Sequence, residues 1–105
     1  MGKEKSLGII KIFAGKLMRD FSVKRIILFG SRAVGRARRD SDIDLIIVSE
    51  DFEGMDFFER VYKMYEYWET SVPVDFLCYT SKEFERLKKR ISIVSDALEN
   101  GVVVK

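Results

Sequence analysis

Apolar positions along the chain fall into two alternating patterns, one at helical spacing and one in short continuous runs. Between about Lys5 and Asp20, the residues Ile9, Ile10, Phe13, Leu17 and Phe21 recur at helical spacing and predict a helix. "KRIILFG" at 24–30 is β-branched and apolar and stops at Gly30, which predicts a buried strand. "SRAVGR" is at most a short helix, and a basic loop follows it to Asp40. "DIDLIIVS" at 42–49 predicts the second strand, and "EDFEG" a turn. Over 55–70, Phe57, Val61, Met64, Tyr65 and Trp68 share one helical stripe, with Phe58 and Tyr62 beside it. "VPVDFLCY" at 72–79 is the third strand, its proline near the start where a missing N–H costs least.

Thr80-Ser81-Lys82-Glu83 matches a capping box and opens a further helix. Its buried stripe would be Phe84, Leu87, Ile91, Val94 and Leu98. Asn100-Gly101 ends it, and "VVV" at 102–104 suits a short closing edge strand. The expected order is therefore α-β-α-β-α-β-α-β. This is an α/β (α+β) architecture with a small sheet of about four strands flanked by helices. Crossover helices of this kind imply substantial parallel pairing. At 105 residues the expectation is one domain, residues 1–105.

Composition narrows the chemistry. Hydrophobic residues make up 47% and charged residues 34%, which describes a globular chain rather than a disordered one. Nineteen basic against 17 acidic residues leave +2, so bulk charge does not call for nucleic acid. There is no histidine, which excludes Ser-His and Cys-His catalysis and His-ligated zinc. The lone cysteine, Cys78, sits in an apolar run, reads as a buried filler and suits a reducing cytoplasm. Lys11 interrupts the N-terminal apolar stretch, so neither a signal peptide nor a membrane span is expected. Carboxylates, hydroxyls, amines or a hard metal ion must carry any reaction.

Asp42 and Asp44 open a strand at i and i+2, so their side chains share a face. Their Cα atoms would lie about 6.5–7 Å apart. Two carboxylates at such a separation repel by about 2–3 kcal/mol at an effective dielectric near 20. A divalent cation reverses that sign, and Mg²⁺ takes one or two carboxylates together with phosphate oxygens. Gly30-Ser31 falls at a strand-to-helix turn, where exposed N–H groups cradle phosphate and the Ser31 hydroxyl can add a hydrogen bond. Arg32, next to that turn, is the better phosphate ligand, while Arg36, Arg38 and Arg39 suit a solvated loop. Asp75, inside the third strand, completes a two-metal site if that strand neighbours the second, and would be the general base on an incoming hydroxyl. Each feature has a plainer reading: a solvated strand entry for Asp42 and Asp44, an edge-strand ion pair with arginine for Asp75. The aromatic stripe over 57–68 is core or partner interface, with Tyr62, Tyr65 and Tyr67 as candidates for exposure.

Gly30-Ser31, ten intervening residues and then Asp42-Ile43-Asp44 resembles the GSx10DxD signature of the nucleotidyltransferase superfamily (DNA polymerase β-like). A chance match is on the order of 10⁻⁵ per position at average residue usage. Without a second domain the chain looks like the minimal nucleotidyltransferases, and the likeness covers nearly its whole length. The resemblance implies transfer of a nucleoside monophosphate from ATP, with two Mg²⁺ ions and release of pyrophosphate. It places Gly30 and Ser31 on the triphosphate, Asp42 and Asp44 on both metals, and Asp75 on one metal and the attacking hydroxyl. Minimal members are commonly antitoxins that modify a tyrosine of a helical HEPN-domain toxin. Two other functions fit the same residues. One is a non-catalytic module that neutralises such a toxin by contact. The other is a small-molecule nucleotidyltransferase whose missing wall comes from a homodimer.

Overall fold

The computed structural model describes residues 2–30, 33, 42–90 and 92–105. Helix α1, Lys3–Asp20, leads into strand β1, Val23–Phe29, and β2 spans Ile43–Ser49. A single 3-10 turn over Glu50–Phe52 precedes α2, Phe57–Tyr65, which feeds β3, Val74–Tyr79. Helices α3, Ser81–Lys88, and α4, Ile93–Asn100, then lead to β4, Val102–Val103. The expected short helix after Gly30 lies outside the described residues, apart from Ala33, whose N–H donates to the Gly30 carbonyl at 3.1 Å.

The four strands form one mixed sheet in the order β3-β2-β1-β4. Parallel pairing is less extensive than expected. Among the described residues only β2 and β3, joined through α2, run parallel, and β1 pairs antiparallel with both β2 and β4. Central strand β2 is buried on both faces except at Asp44, which is why its sequence reads as a continuous apolar run. On one face, Leu28, Leu45, Ile47 and Phe76 pack with Phe13 and Leu17 of α1 and with Phe52, Met64 and Trp68. On the other, Ile27, Ile46 and Val48 meet Phe84 of α3 and Val94 and Ala97 of α4.

Two expected helices differ from the sequence reading. The stretch 55–70 is α-helical only through Tyr65, because the Tyr67 and Trp68 amides bond three residues back, to Met64 and Tyr65. That tightening swings Trp68 so that its indole N–H reaches the Val72 carbonyl at 2.8 Å. The helix opened by the Thr80–Glu83 capping box, which is present, breaks after Lys88. Ser92, in extended backbone, accepts from the Ser95 amide and donates to the Leu87 carbonyl at 2.8 Å, starting a new helix. The local serine bonds outcompete a continuous helix, while Phe84, Leu87, Val94 and Leu98 still share one cluster. Ile91 lies outside the described residues.

Arg60 ties α2 to the sheet and to α3. Its guanidinium donates to both Glu83 carboxylate oxygens, at 2.6 and 3.2 Å, and to the carbonyls of Met55 and Cys78. Bonding to Arg60 and, after it, to the Thr80 amide holds the Glu83 carboxyl below its ordinary value of 4.5. Arg60→Met should destabilise the fold by about 2–3 kcal/mol in urea unfolding at pH 7, because Glu83 loses its fork-shaped donor. A depressed carboxylate stabilises the fold above its unfolded value and stops doing so as pH falls through its folded value. The gap between wild type and Arg60→Met should therefore narrow as pH drops below 4.5.

Candidate functional site

The site grows from strand register. In the parallel pair β2–β3, Asp44 stands directly opposite Asp75, as Ile46 does opposite Leu77 and Val48 opposite Tyr79. These three pairs share the sheet face that carries α3 and α4. The helices cover only its far half: Ile46 is fully buried, whereas Asp44 is half-buried and Asp75 exposed. Asp42, two residues ahead of Asp44, is exposed at the same strand end. One open end of the sheet therefore holds all three aspartates predicted from sequence.

Burial raises the Asp44 carboxyl above its ordinary value, and the charges of Asp75 and then Asp42 raise it further. A half-buried carboxylate between two others is an arrangement that a cation relieves. Among the described residues no three acidic side chains close into a metal cage.

Gly30 adjoins this group because Phe29 of β1 pairs with Asp44. Its φ of +75° is left-handed, and a Cβ there would run into the Asp44 carboxylate. The sequence therefore needs glycine here for two reasons, backbone sign and close approach. A hollow of about 250 Å³ lies beside it, lined by Phe29, Gly30, Asp96, Ala97, Asn100 and Gly101. Ser31, Arg32, Arg36, Arg38 and Arg39 lie outside the described residues.

Tyr65 is a neighbour that sequence reasoning did not assign to the site. Its hydroxyl donates to the Val74 carbonyl at 2.6 Å, next to Asp75, and its ring meets Phe76 edge-on at 5.1 Å. Burial first, then the charges of Asp75 and Asp42, push its hydroxyl pKa up. The stripe spacing gave Tyr65 a place on α2, but only the tertiary fold brings the end of that helix to the start of β3.

Three carboxylates at one open sheet end can hold a cation and take a proton from a hydroxyl. A chain from Haemophilus influenzae described as the protein adenylyltransferase MntA is 34% identical over 104 residues, covering 95% of this chain and 87% of its own. A crystal structure of a protein described as a nucleotidyltransferase from Sulfolobus solfataricus superimposes with a TM-score of 0.70 at 24% identity, over 96% of this chain and 80% of that one. A toxin–antitoxin crystal structure with AMP-PNP contains a chain that matches with a TM-score of 0.56 at 23% identity, over 89% of this chain and 70% of that one. The sequence profile described as nucleotidyltransferase domain matches residues 10–103, from the middle of α1 into β4, and so takes in the glycine turn and all three aspartates. By that match the chain belongs to the nucleotidyltransferase domain family.

Proposed function

We propose that this protein transfers AMP from ATP, with Mg²⁺, to a hydroxyl of a partner protein in the cytoplasm, a helical HEPN-domain toxin, and thereby acts as its antitoxin. The observation that carries the reading is Asp44 held opposite Asp75, with the Gly30 backbone packed against the Asp44 carboxylate. The relative described as a protein adenylyltransferase and the toxin–antitoxin neighbour with AMP-PNP support the acceptor class and the nucleotide.

Asp42 and Asp44 would hold the metal ions, with Asp75 completing the set. When bound, Mg²⁺ supplies positive charge against the triphosphate and the reacting oxygens. Gly30 presents backbone to the phosphates, with Ser31 and Arg32 as the adjoining ligands in this reading. Asp75, the most accessible carboxylate of the facing pair, accepts the proton of the incoming hydroxyl. The hydroxyl oxygen forms a bond to the α-phosphorus, the bond from that phosphorus to the pyrophosphate oxygen breaks, and pyrophosphate leaves. The open sheet end leaves room for an acceptor brought in on another protein.

Intact-mass measurement of the protein encoded beside this one, after incubation with ATP and Mg²⁺, is the direct test. Addition of one adenylyl group or a whole multiple is expected. An unchanged mass with wild-type protein, combined with undiminished neutralisation by contact, would replace this reading with that of a binding module.

A further inference from the structure

We infer that the sheet end opposite the aspartates is a docking surface for an acidic, apolar-anchored segment of the protein partner; this rests on the reading that the acceptor is a protein. Helix α2 turns much of its aromatic surface outward. Phe57, Phe58 and Tyr62 are 54%, 80% and 74% exposed, and within the helix only Met64 is buried. Phe57 and Phe58 pack edge-on at 5.5 Å, so they form one patch rather than scattered side chains. Contiguous exposed aromatic surface rimmed by charge marks an interaction site.

Beside the patch, between α2 and α3, lies a hollow of about 550 Å³ lined by Phe57, Tyr79 and Leu87 together with the charged residues Arg60, Glu83, Arg86 and Arg90. Arg60 is neutralised by Glu83. Arg86 and Arg90 are exposed, and among the described residues neither has a carboxylate within ion-pair distance. The hollow therefore offers apolar side chains and, among the described residues, two guanidinium groups without an ion-pair partner. An apolar side chain flanked by aspartates or glutamates satisfies both. A second copy of this chain suits it less, since a two-fold contact through this surface would bring both copies' Arg86 and Arg90 into one interface.

Tyr79 lies four residues along edge strand β3 from Asp75, about 13 Å at strand rise. A partner domain seated on the hollow can span that distance and present a hydroxyl to the acids. Gripping and transfer would then use different residues.

The test measures binding of the protein encoded beside this one to four forms: wild type, Asp44→Asn, Arg86→Glu with Arg90→Glu, and Phe58→Ser with Tyr62→Ser. All the surface positions are exposed, and circular dichroism confirms folding. Asp44→Asn should bind within about twofold of wild type, and each surface pair should weaken binding by more than about tenfold. Wild-type binding should also fall more steeply with salt than that of the charge-reversed form. Undiminished binding by the charge-reversed protein overturns the proposal, as does no binding by wild type. So does tight binding of a single-stranded oligonucleotide to the same arginines, or wild-type self-association that these substitutions abolish. If wild type transfers AMP while the surface variants bind normally, docking is wrong and transfer stands. If binding depends on the hollow but no mass is added, transfer is wrong and docking stands.

Discussion

Replacing Asp44 with asparagine is expected to lower AMP transfer by on the order of 10³-fold while leaving the metal-free fold at least as stable as wild type. Asparagine keeps the shape that fills the space against Gly30 and removes the charge. Activity suffers because the half-buried member of the acidic group no longer offsets a cation or positions the triphosphate. Stability does not suffer, because burial and the charges of Asp75 and Asp42 already disfavour the ionised carboxylate. The sign follows from linkage. A carboxyl whose folded pKa lies above its ordinary 3.8 binds its proton more tightly when folded. Its contribution to stability is lost as pH rises from the unfolded value through the folded one. The melting temperature of Asp44→Asn minus that of wild type, without metal, should therefore grow as pH rises above 3.8 and then level off. Adding Mg²⁺ should raise the wild-type midpoint more than the variant's. Retained transfer, or a variant that melts far below wild type without metal, would remove Asp44 from the centre of the site.

Much of that site was legible because its residues break local patterns. Asp42 and Asp44 interrupt the start of an apolar run, and Asp75 stands between Val74 and Phe76, so each carboxylate is visible as an exception. The Thr80–Glu83 cap and the Asn100–Gly101 stop were equally readable, since a cap is a local hydrogen-bond pattern. Strand order was not readable. That Asp75 faces Asp44 depends on β3 lying beside β2 in parallel, and the apolar runs are the same for either direction of pairing. The break at Ser92 escaped because Val94 and Leu98 keep helical phase with Phe84 across it. Periodicity also could not divide the aromatic stripe. Met64 and Trp68 face the core while Phe57, Phe58 and Tyr62 face outward, and which of these happens depends on what the rest of the fold covers.

Gly30→Ala is expected to destabilise the protein by about 1–3 kcal/mol and to cut transfer by about a hundredfold. Two separate costs act at this position. The first is conformational: at φ +75° an L-residue loses about 1–2 kcal/mol that glycine does not. The second is steric, since the new methyl would collide with Oδ2 of the Asp44 carboxylate. The turn can shift, or Asp44 can rotate off the face it shares with Asp75, and either movement displaces a reacting group. Asp44→Ala separates the two costs. It removes the carboxylate, so Gly30→Ala introduced into Asp44→Ala should lose only the conformational part. Unfolding free energies of the four proteins form a cycle whose coupling measures the close approach itself, expected at about 1 kcal/mol. If the two substitutions add without coupling, glycine is needed at position 30 for its backbone sign alone, and the carboxylate of Asp44 does not depend on the turn for its position.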